Sequence, residues 1–258
     1  ECRGMDEADV LVAGAGAAGM MAALAAAARG ARVTLIERDA AAPSNLAISG
    51  GLFSAAGTRW QRAAGVEDSA ARYAADVRAK TCGAVDGVLL GAVTGVSARV
   101  AEFLADEVGL PLHLHHGNWP GHSVMRLHAT PAESGAELSD LLRAAVRRQA
   151  RIGFRDGVSI TRLLDDGAEV SDGTRQRVRA ATVVLATGGF GADAELVARF
   201  CPTASRAIHA GSALSDGAAL RLTEPLDAAL ACMDSYQGQP HVSPHLVNGV
   251  RPRFGAAL

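Results

Sequence analysis

Val10-Leu-Val-Ala-Gly-Ala-Gly-Ala-Ala-Gly-Met20, followed by Val33-Thr-Leu-Ile-Glu37, decides the fold of this chain. The first piece reads as an apolar strand, a turn with glycines at 14, 16 and 19, and the start of an alanine-rich helix. The second is another apolar strand that ends in an acid. Together they have the form of a dinucleotide-binding unit. Gly14 permits the tight turn out of the strand, Gly16 leaves room for a pyrophosphate to approach the backbone, and Gly19 allows close helix packing. The helix then directs free N–H groups and its positive end at the phosphates. Glu37, about twenty residues beyond the turn, is placed to accept hydrogen bonds from ribose hydroxyls.

The run from Val10 to Ala28 is uncharged and long enough to cross a bilayer. Three glycines and a dominance of alanine favour a buried strand and helix instead. No second span is read, and Glu1 to Asp9 is polar and acidic rather than a basic leader. The expectation is a soluble, cytoplasmic protein with no membrane span. A chain of 258 residues can bury a sizeable core. Its net charge of −2 argues against nucleic acid as a partner. Cys2, Cys82, Cys201 and Cys232 form no CxxC pair, which suits a reducing compartment and gives no zinc pattern.

Working outward, Asn45 to Gly57 reads as an ordered loop over the cofactor. Glu67 to Leu90 and Val93 to Val108 have helical spacing, with Asp68 as N-cap of the first. Leu110 to Pro131 reads as irregular. Glu137 to Ala150 is an amphipathic helix with Leu138, Leu141, Leu142, Ala145 and Val146 inward and Arg143, Arg147 and Arg148 on the outer face. Ile152 to Leu164 and Glu169 to Arg179 read as strands around an Asp165-Asp166-Gly167 turn. Ala181 to Ala186 is a buried strand leading to Thr187-Gly188-Gly189-Phe190-Gly191, a second glycine turn at the strand edge where ligands of doubly wound sheets collect.

The order GAGAAG, Glu37, Ser44-Asn45-Leu-Ala-Ile-Ser-Gly-Gly51, Ala186-Thr-Gly-Gly-Phe190, Ser215-Asp-Gly217 and Gln237-Gly-Gln-Pro240 resembles the flavoprotein family of fumarate reductase and succinate dehydrogenase. That family also includes soluble flavocytochrome fumarate reductases and 3-ketosteroid dehydrogenases. The resemblance covers Asp9 to about Pro240. It implies a doubly wound, Rossmann-like α/β domain over residues 1–258, with a mainly helical insertion at 58–136 and a small β element. It further implies FAD as cofactor and hydride transfer between flavin N5 and an activated C–C bond of an enoate, dicarboxylate or ketosteroid. Matching positions for FAD are Gly14, Gly16, Ala18, Gly19, Glu37, Arg38, Asn45, Ser49, Gly50, Gly51, Ala186, Thr187, Gly188 and Asp216. Membrane-bound members attach FAD through a histidine in the early loop; Asn45 stands there, so non-covalent FAD is implied.

Two departures bear on catalysis. Gln239 stands where the family has a substrate-binding histidine, with His241 close by. The family's proton-transferring arginine belongs to a capping domain that the resemblance places after this stretch. The capping domain and the later flavin-closing segment are therefore expected to be absent, and the chain to be weakly active or inactive alone. Val247-Asn248-Gly249 and Arg251-Pro-Arg253-Phe254 bear a faint likeness to a stretch from beyond that arginine. Arg126 and His128, in Gly121-His-Ser-Val-Met-Arg-Leu-His128, are the other catalytic candidates, against a structural ion pair. His113, His115 and His116 lack a nearby cysteine or carboxylate in sequence, so no metal site is expected. The alternatives are a fragment of a 3-ketosteroid-dehydrogenase-like flavoenzyme, an NAD-dependent dehydrogenase sharing only the first motif, and a non-catalytic FAD-binding module. A short-chain dehydrogenase is disfavoured by the absence of a Tyr-x-x-x-Lys pair.

Overall fold

A computed structural model describes residues 6–235 of the chain. The Gln237–Pro240 element, with Gln239, and His241 lie outside the described residues, as do 247–254. Of the described residues, 6–48 and 139–235 form one compact unit and 49–138 a second. The 58–136 segment lies within the second.

The first unit opens with β1 (Asp6–Ala13), α1 (Ala17–Ala28) and β2 (Val33–Glu37). In α1 the buried positions Gly19, Met20, Ala23, Leu24 and Ala27 recur at helical spacing on a sequence rich in alanine, the best helix former. The helix stops at Gly30, whose φ of 91° lets the chain turn while its N–H reaches the Ala27 carbonyl. A short α2 (Asn45–Ile48) follows.

The second unit holds β3 (Phe53–Ser54), α3 (Arg59–Ala63), α4 (Ala70–Lys80), α5 (Gly87–Asp106), β4 (His113–Leu114) and β5 (Leu127–Ala129). Its strands form an antiparallel sheet in the order β3-β5-β4. Several readings from sequence change here. Asn45–Gly57 contains α2 and β3 rather than loop alone, and 110–131 contains β4 and β5. The α4 N-cap is Ser69, whose hydroxyl accepts the Arg72 N–H, not Asp68. The apolar spacing read through the break between α4 and α5, where Thr81 caps one helix and Asp86 starts the next by accepting the Val88 and Leu89 N–H groups. Thr58 and Gln61 close α3 with a reciprocal capping box. Among the described residues α5 alone is long and apolar enough, by length and composition, to cross a bilayer, in a stretch where the sequence reading saw no span. Its residues Leu90, Thr94, Ser97, Ala101 and Leu104 are buried along one side, while Val88, Leu89 and Val93 are exposed.

α6 (Gly135–Arg148) leads to β6 (Ile152–Asp156), β7 (Ser159–Leu164), β8 (Gly167–Ser171), β9 (Arg175–Leu185), α7 (Ala194–Phe200) and α8 (Ala218–Thr223). The stretch read as one strand, Ile152–Leu164, is two, divided at Gly157 where φ is 71°. Arg143 does not occupy a purely solvated face: its Nη1 donates to the Ala40 carbonyl at 2.8 Å.

The six strands of this unit lie in the order β6-β2-β1-β9-β8-β7. β6, β2, β1 and β9 are parallel, and β8 and β7 are antiparallel. β9 has two partners in succession. Residues 175–179 pair with β8, and 178–185 pair with β1. Leu11, Ala13, Ile36, Val158, Ala168, Val170, Val178 and Ala180 make the core on the sheet. This is a mainly parallel α/β sheet whose β1, β2 and β9 all deliver their carboxyl ends to one edge.

Candidate cofactor site

At that edge β1 passes into the glycine turn. Gly14 has φ of 102°, donates its N–H to the Ile36 carbonyl at 2.8 Å, and lies against β9. A Cβ on Gly14 would fall 2.4 Å from the Ala186 oxygen, and one on Gly19 only 1.7 Å from the Gly14 oxygen. These two glycines are demanded by the packing of the turn on itself and on the end of β9. Gly16 differs: a Cβ there would meet nothing within 4 Å. It is also the N-cap of α1 and offers no side chain to the first-turn N–H groups. Ala17 and Ala18 above it are exposed.

The Glu37 carboxylate is held by three backbone donors. Oε2 accepts the Ala15 N–H at 2.7 Å, and Oε1 accepts those of Arg38 at 2.7 Å and Asp39 at 3.2 Å. A carboxylate oxygen can accept two hydrogen bonds, so Oε2 keeps one acceptor position for a ligand. From the end of β9, the Thr187 hydroxyl is buried and has no partner. A buried hydroxyl left unpaired is unfavourable, and a ligand acceptor would relieve it. An open glycine, an uncapped helix start, a part-used carboxylate and an orphaned hydroxyl on neighbouring parallel strands fit a dinucleotide cofactor.

Not every residue expected at the cofactor has a free side chain. Arg38 Nη1 is 2.6 Å from Asp216 Oδ2, and its Nη2 donates to the Leu214 carbonyl at 3.1 Å. The amide of Asn45 is engaged by Ser212 and Ser215. Gly188 has φ of 80°. Ser49, Gly50 and Gly51 belong to the second unit. There a Cβ on Gly51 would come 2.5 Å from the Ser134 carbonyl carbon, while Gly50 faces open space. Ser49 uses its carbonyl to accept the Gly135 N–H at 3.1 Å.

Arg126 and His128 occupy the interior of the second unit. Arg126 Nε and Nη2 donate to the two carboxylate oxygens of Asp68, each at 2.8 Å, and Nη1 donates to Asp76 Oδ2 at 2.6 Å. The guanidinium also lies 4.7 Å from the Tyr73 ring centroid. Its side chain is 0% exposed, as is that of Asp68. Burial pushes the Asp68 carboxyl upward, but hydrogen bonds from Arg126, Gln61 and Ser69 outweigh it and hold it below the usual carboxylate range. Every nitrogen of Arg126 is already committed, and the structural ion pair is what the fold builds. His128 donates from Nδ1 to the Arg126 carbonyl at 3.0 Å, so Nε2, 2.9 Å from Thr58 Oγ1, accepts that hydroxyl. Burial drives this imidazole down to about 4, against the opposing hydrogen bond to Arg126.

His113 Nε2 and His115 Nδ1 converge on one oxygen of Glu133, at 3.0 and 2.8 Å. The fold thus supplies the carboxylate that local sequence lacked, although among the described residues no group of three such side chains could hold a metal ion. His115 and His113 hold Glu133 below its ordinary value by hydrogen bonding. Sequence reasoning missed Glu133 and Asp76, which lie 18 or more residues from their partners, and His209, whose Nε2 meets the Ser212 carbonyl only three residues on.

Residues 9–252 match the model of a family described as FAD binding domain. The chain is 31% identical over 244 residues to a probable fumarate reductase of Shewanella frigidimarina, an alignment covering 90% of this chain and 41% of that protein. It is 34% identical over 143 residues to the acrylate reductase flavoprotein subunit of Shewanella woodyi, covering 55% of this chain and 28% of that one. Among solved structures, the open conformation of a flavocytochrome c3 fumarate reductase aligns with a TM-score of 0.78 at 30% identity, over 86% of this chain and 40% of that one. A 3-ketosteroid dehydrogenase from Rhodococcus jostii aligns with a TM-score of 0.77 over 91% of this chain and 57% of its own, at 24% identity, a likeness of fold. The chain spans about two fifths of the length of the Shewanella frigidimarina relative.

Proposed function

The chain belongs to the FAD-binding domain family, and on that premise we propose that it supplies the FAD-seating part of a fumarate-reductase-type oxidoreductase. The observation that carries this reading is the open, uncapped start of α1 at Gly16, at the carboxyl edge of parallel β1, β2 and β9. Gly16 and Ala18 receive the pyrophosphate on backbone N–H groups. Glu37 Oε2 accepts from the adenosine ribose, and Thr187 Oγ1 donates to the cofactor from the end of β9. Asn45, at the position where the resemblance places the flavin-linking histidine, is an amide with no nucleophilic atom, which supports non-covalent FAD. When bound, FAD supplies hydride transfer at N5 to or from an activated C–C bond, here of a small enoate, dicarboxylate or ketosteroid. Arg126 and His128 stand outside this chemistry as parts of the buried network of the second unit.

The test is direct. Purified protein incubated with FAD and desalted retains the flavin absorbance, and acid precipitation releases the flavin to the supernatant. Protein treated with NAD in the same way retains no nucleotide. Retention of NAD with loss of FAD overturns the reading. Flavin that stays with the acid pellet overturns the non-covalent part alone.

A further inference from the structure

Two stretches distant in sequence meet at Asn45, the first residue of α2 in the first unit. Its Oδ1 accepts the Ser212 N–H at 2.8 Å, and its Nδ2 donates to Ser215 Oγ at 2.9 Å. Ser212 and Ser215 are both buried. The same short loop is tied to the glycine turn after β9. The Ala192 N–H donates to the Ser215 carbonyl at 2.8 Å and the Gly217 N–H to the Gly189 carbonyl at 2.9 Å. His209 donates from Nε2 to the Ser212 carbonyl at 3.1 Å. A Cβ on Gly211 would stand 2.9 Å from Asn45 Oδ1 and 3.0 Å from His209 Cε1, so the glycine is required for the amide to reach in.

The Asn45 amide is therefore spent on the protein. It bridges two stretches that each carry a proposed FAD group: the chain leaving β2 after Glu37, and the loop resting on the turn that holds Thr187. Opening of the 209–217 loop frees the Gly188–Gly189 turn on one side and, on the other, the Asn45 segment together with Arg38, whose guanidinium is held by Asp216 and Leu214. We propose that Asn45 is a positioning residue that couples FAD seating to closure of the 209–217 loop, without itself touching the cofactor. The coupling rests on the FAD reading above. It makes loop order depend on the cofactor, because a ligand that binds only the closed form draws the population toward it.

Arg206 is exposed on the stretch that enters this loop, and trypsin cleavage after it requires local opening of the chain around it. Cleavage is followed by mass spectrometry on the whole chain, with and without FAD at about ten times its dissociation constant. If the open form cannot seat FAD, cleavage at Arg206 slows about tenfold in the wild type. In Asn45→Ala, titrated to the same multiple of its own dissociation constant, the slowing falls to less than about twofold. Asn45→Asp keeps the acceptor for Ser212 and can accept the Ser215 hydroxyl, so it restores the wild-type slowing. Ser215→Ala removes one of the two bonds and gives an intermediate value, which serves if Asn45→Ala does not fold. Equal slowing in the wild type and Asn45→Ala, or in Ser215→Ala where Asn45→Ala does not fold, overturns the positioning role, as does a wild type that binds FAD with no slowing. A wild type that binds no FAD overturns the cofactor reading first.

Discussion

The N–H of Ala15 and Oε2 of Glu37 are 2.7 Å apart, so the first glycine turn and the acid at the end of β2 form one fixed assembly. The same carboxylate also takes the Arg38 and Asp39 N–H groups. Glu37 thus organises backbone as well as offering Oε2 to a ribose. Glu37→Ala is expected to weaken FAD binding by about 1.5–3 kcal/mol, the scale of charged hydrogen bonds. It should also lower the thermal midpoint, because three donors lose their acceptor. Glu37→Gln, which keeps one acceptor oxygen, should fall between. Flavin titration alongside melting curves checks both, and wild-type affinity in a folded Glu37→Ala protein would remove Glu37 from the site.

Gly16 and Gly19 should separate binding from folding. Valine at Gly16 enters space that is empty in the protein, so the fold is retained and FAD is lost. Valine at Gly19 would drive its Cβ into the Gly14 oxygen, 1.7 Å away, and displace α1 from the turn. Gly19→Val should therefore be strongly destabilised or insoluble. Circular dichroism and flavin retention read the two effects independently, and a Gly16→Val protein that keeps FAD would contradict the open-site argument.

Arg126→Met should destabilise by about 3–5 kcal/mol, because it strands Asp68 as a buried charge without its partner. Adding Asp68→Asn should recover part of that loss. Asp76 is less enclosed than Asp68, with 16% of its side chain exposed, and so suffers less. Urea unfolding midpoints measure all three proteins. Unchanged stability in Arg126→Met would mean that the network is peripheral to the fold.

His128 sets a pH dependence. Its folded value of about 4 lies below the ordinary 6.5, so the unfolded chain binds the extra proton first. The depressed imidazole contributes stability that is intact above about pH 6.5 and is lost as pH falls toward 4, up to about 3 kcal/mol. Asp68 and Asp76, also depressed, add a further loss below about pH 4. His128→Gln should flatten the slope between pH 6.5 and 4 while leaving the lower limb. Denaturant midpoints across this range test it; an unchanged slope in the variant would assign the effect to another group.

β1, α1 and β2 are legible from sequence because local pattern alone specifies them: an apolar run, glycines at fixed offsets, an alanine face and a strand-end acid. The Ala186–Gly189 turn is legible for the same reason. The polar contacts made across long stretches of chain are less so, since their partners are set by where the chain returns. Arg126 meets Asp68 and Asp76 across 58 and 50 residues, and Asn45 meets Ser215 across 170. Spacing also misplaced the α4–α5 break, because apolar residues continue through Ala84 and Val85 while the caps at Thr81 and Asp86 decide where one helix ends and the next begins. α3 has five residues, too few for a period to show.

The double pairing of β9 leaves that strand no tolerance for a change of length. Its first residues are pinned by the β8 hairpin, and its last ones ride beside β1 to Leu185, two residues before Thr187. One residue inserted between Val178 and Thr182 would push the glycine turn forward by about 3.3 Å and exchange the two faces of everything beyond it. Substitutions along this strand can be absorbed one side chain at a time. Single-residue insertions and deletions cannot, so drift in length within this family should collect in the loops on either side of β9 and leave the strand itself a fixed ruler between hairpin and cofactor.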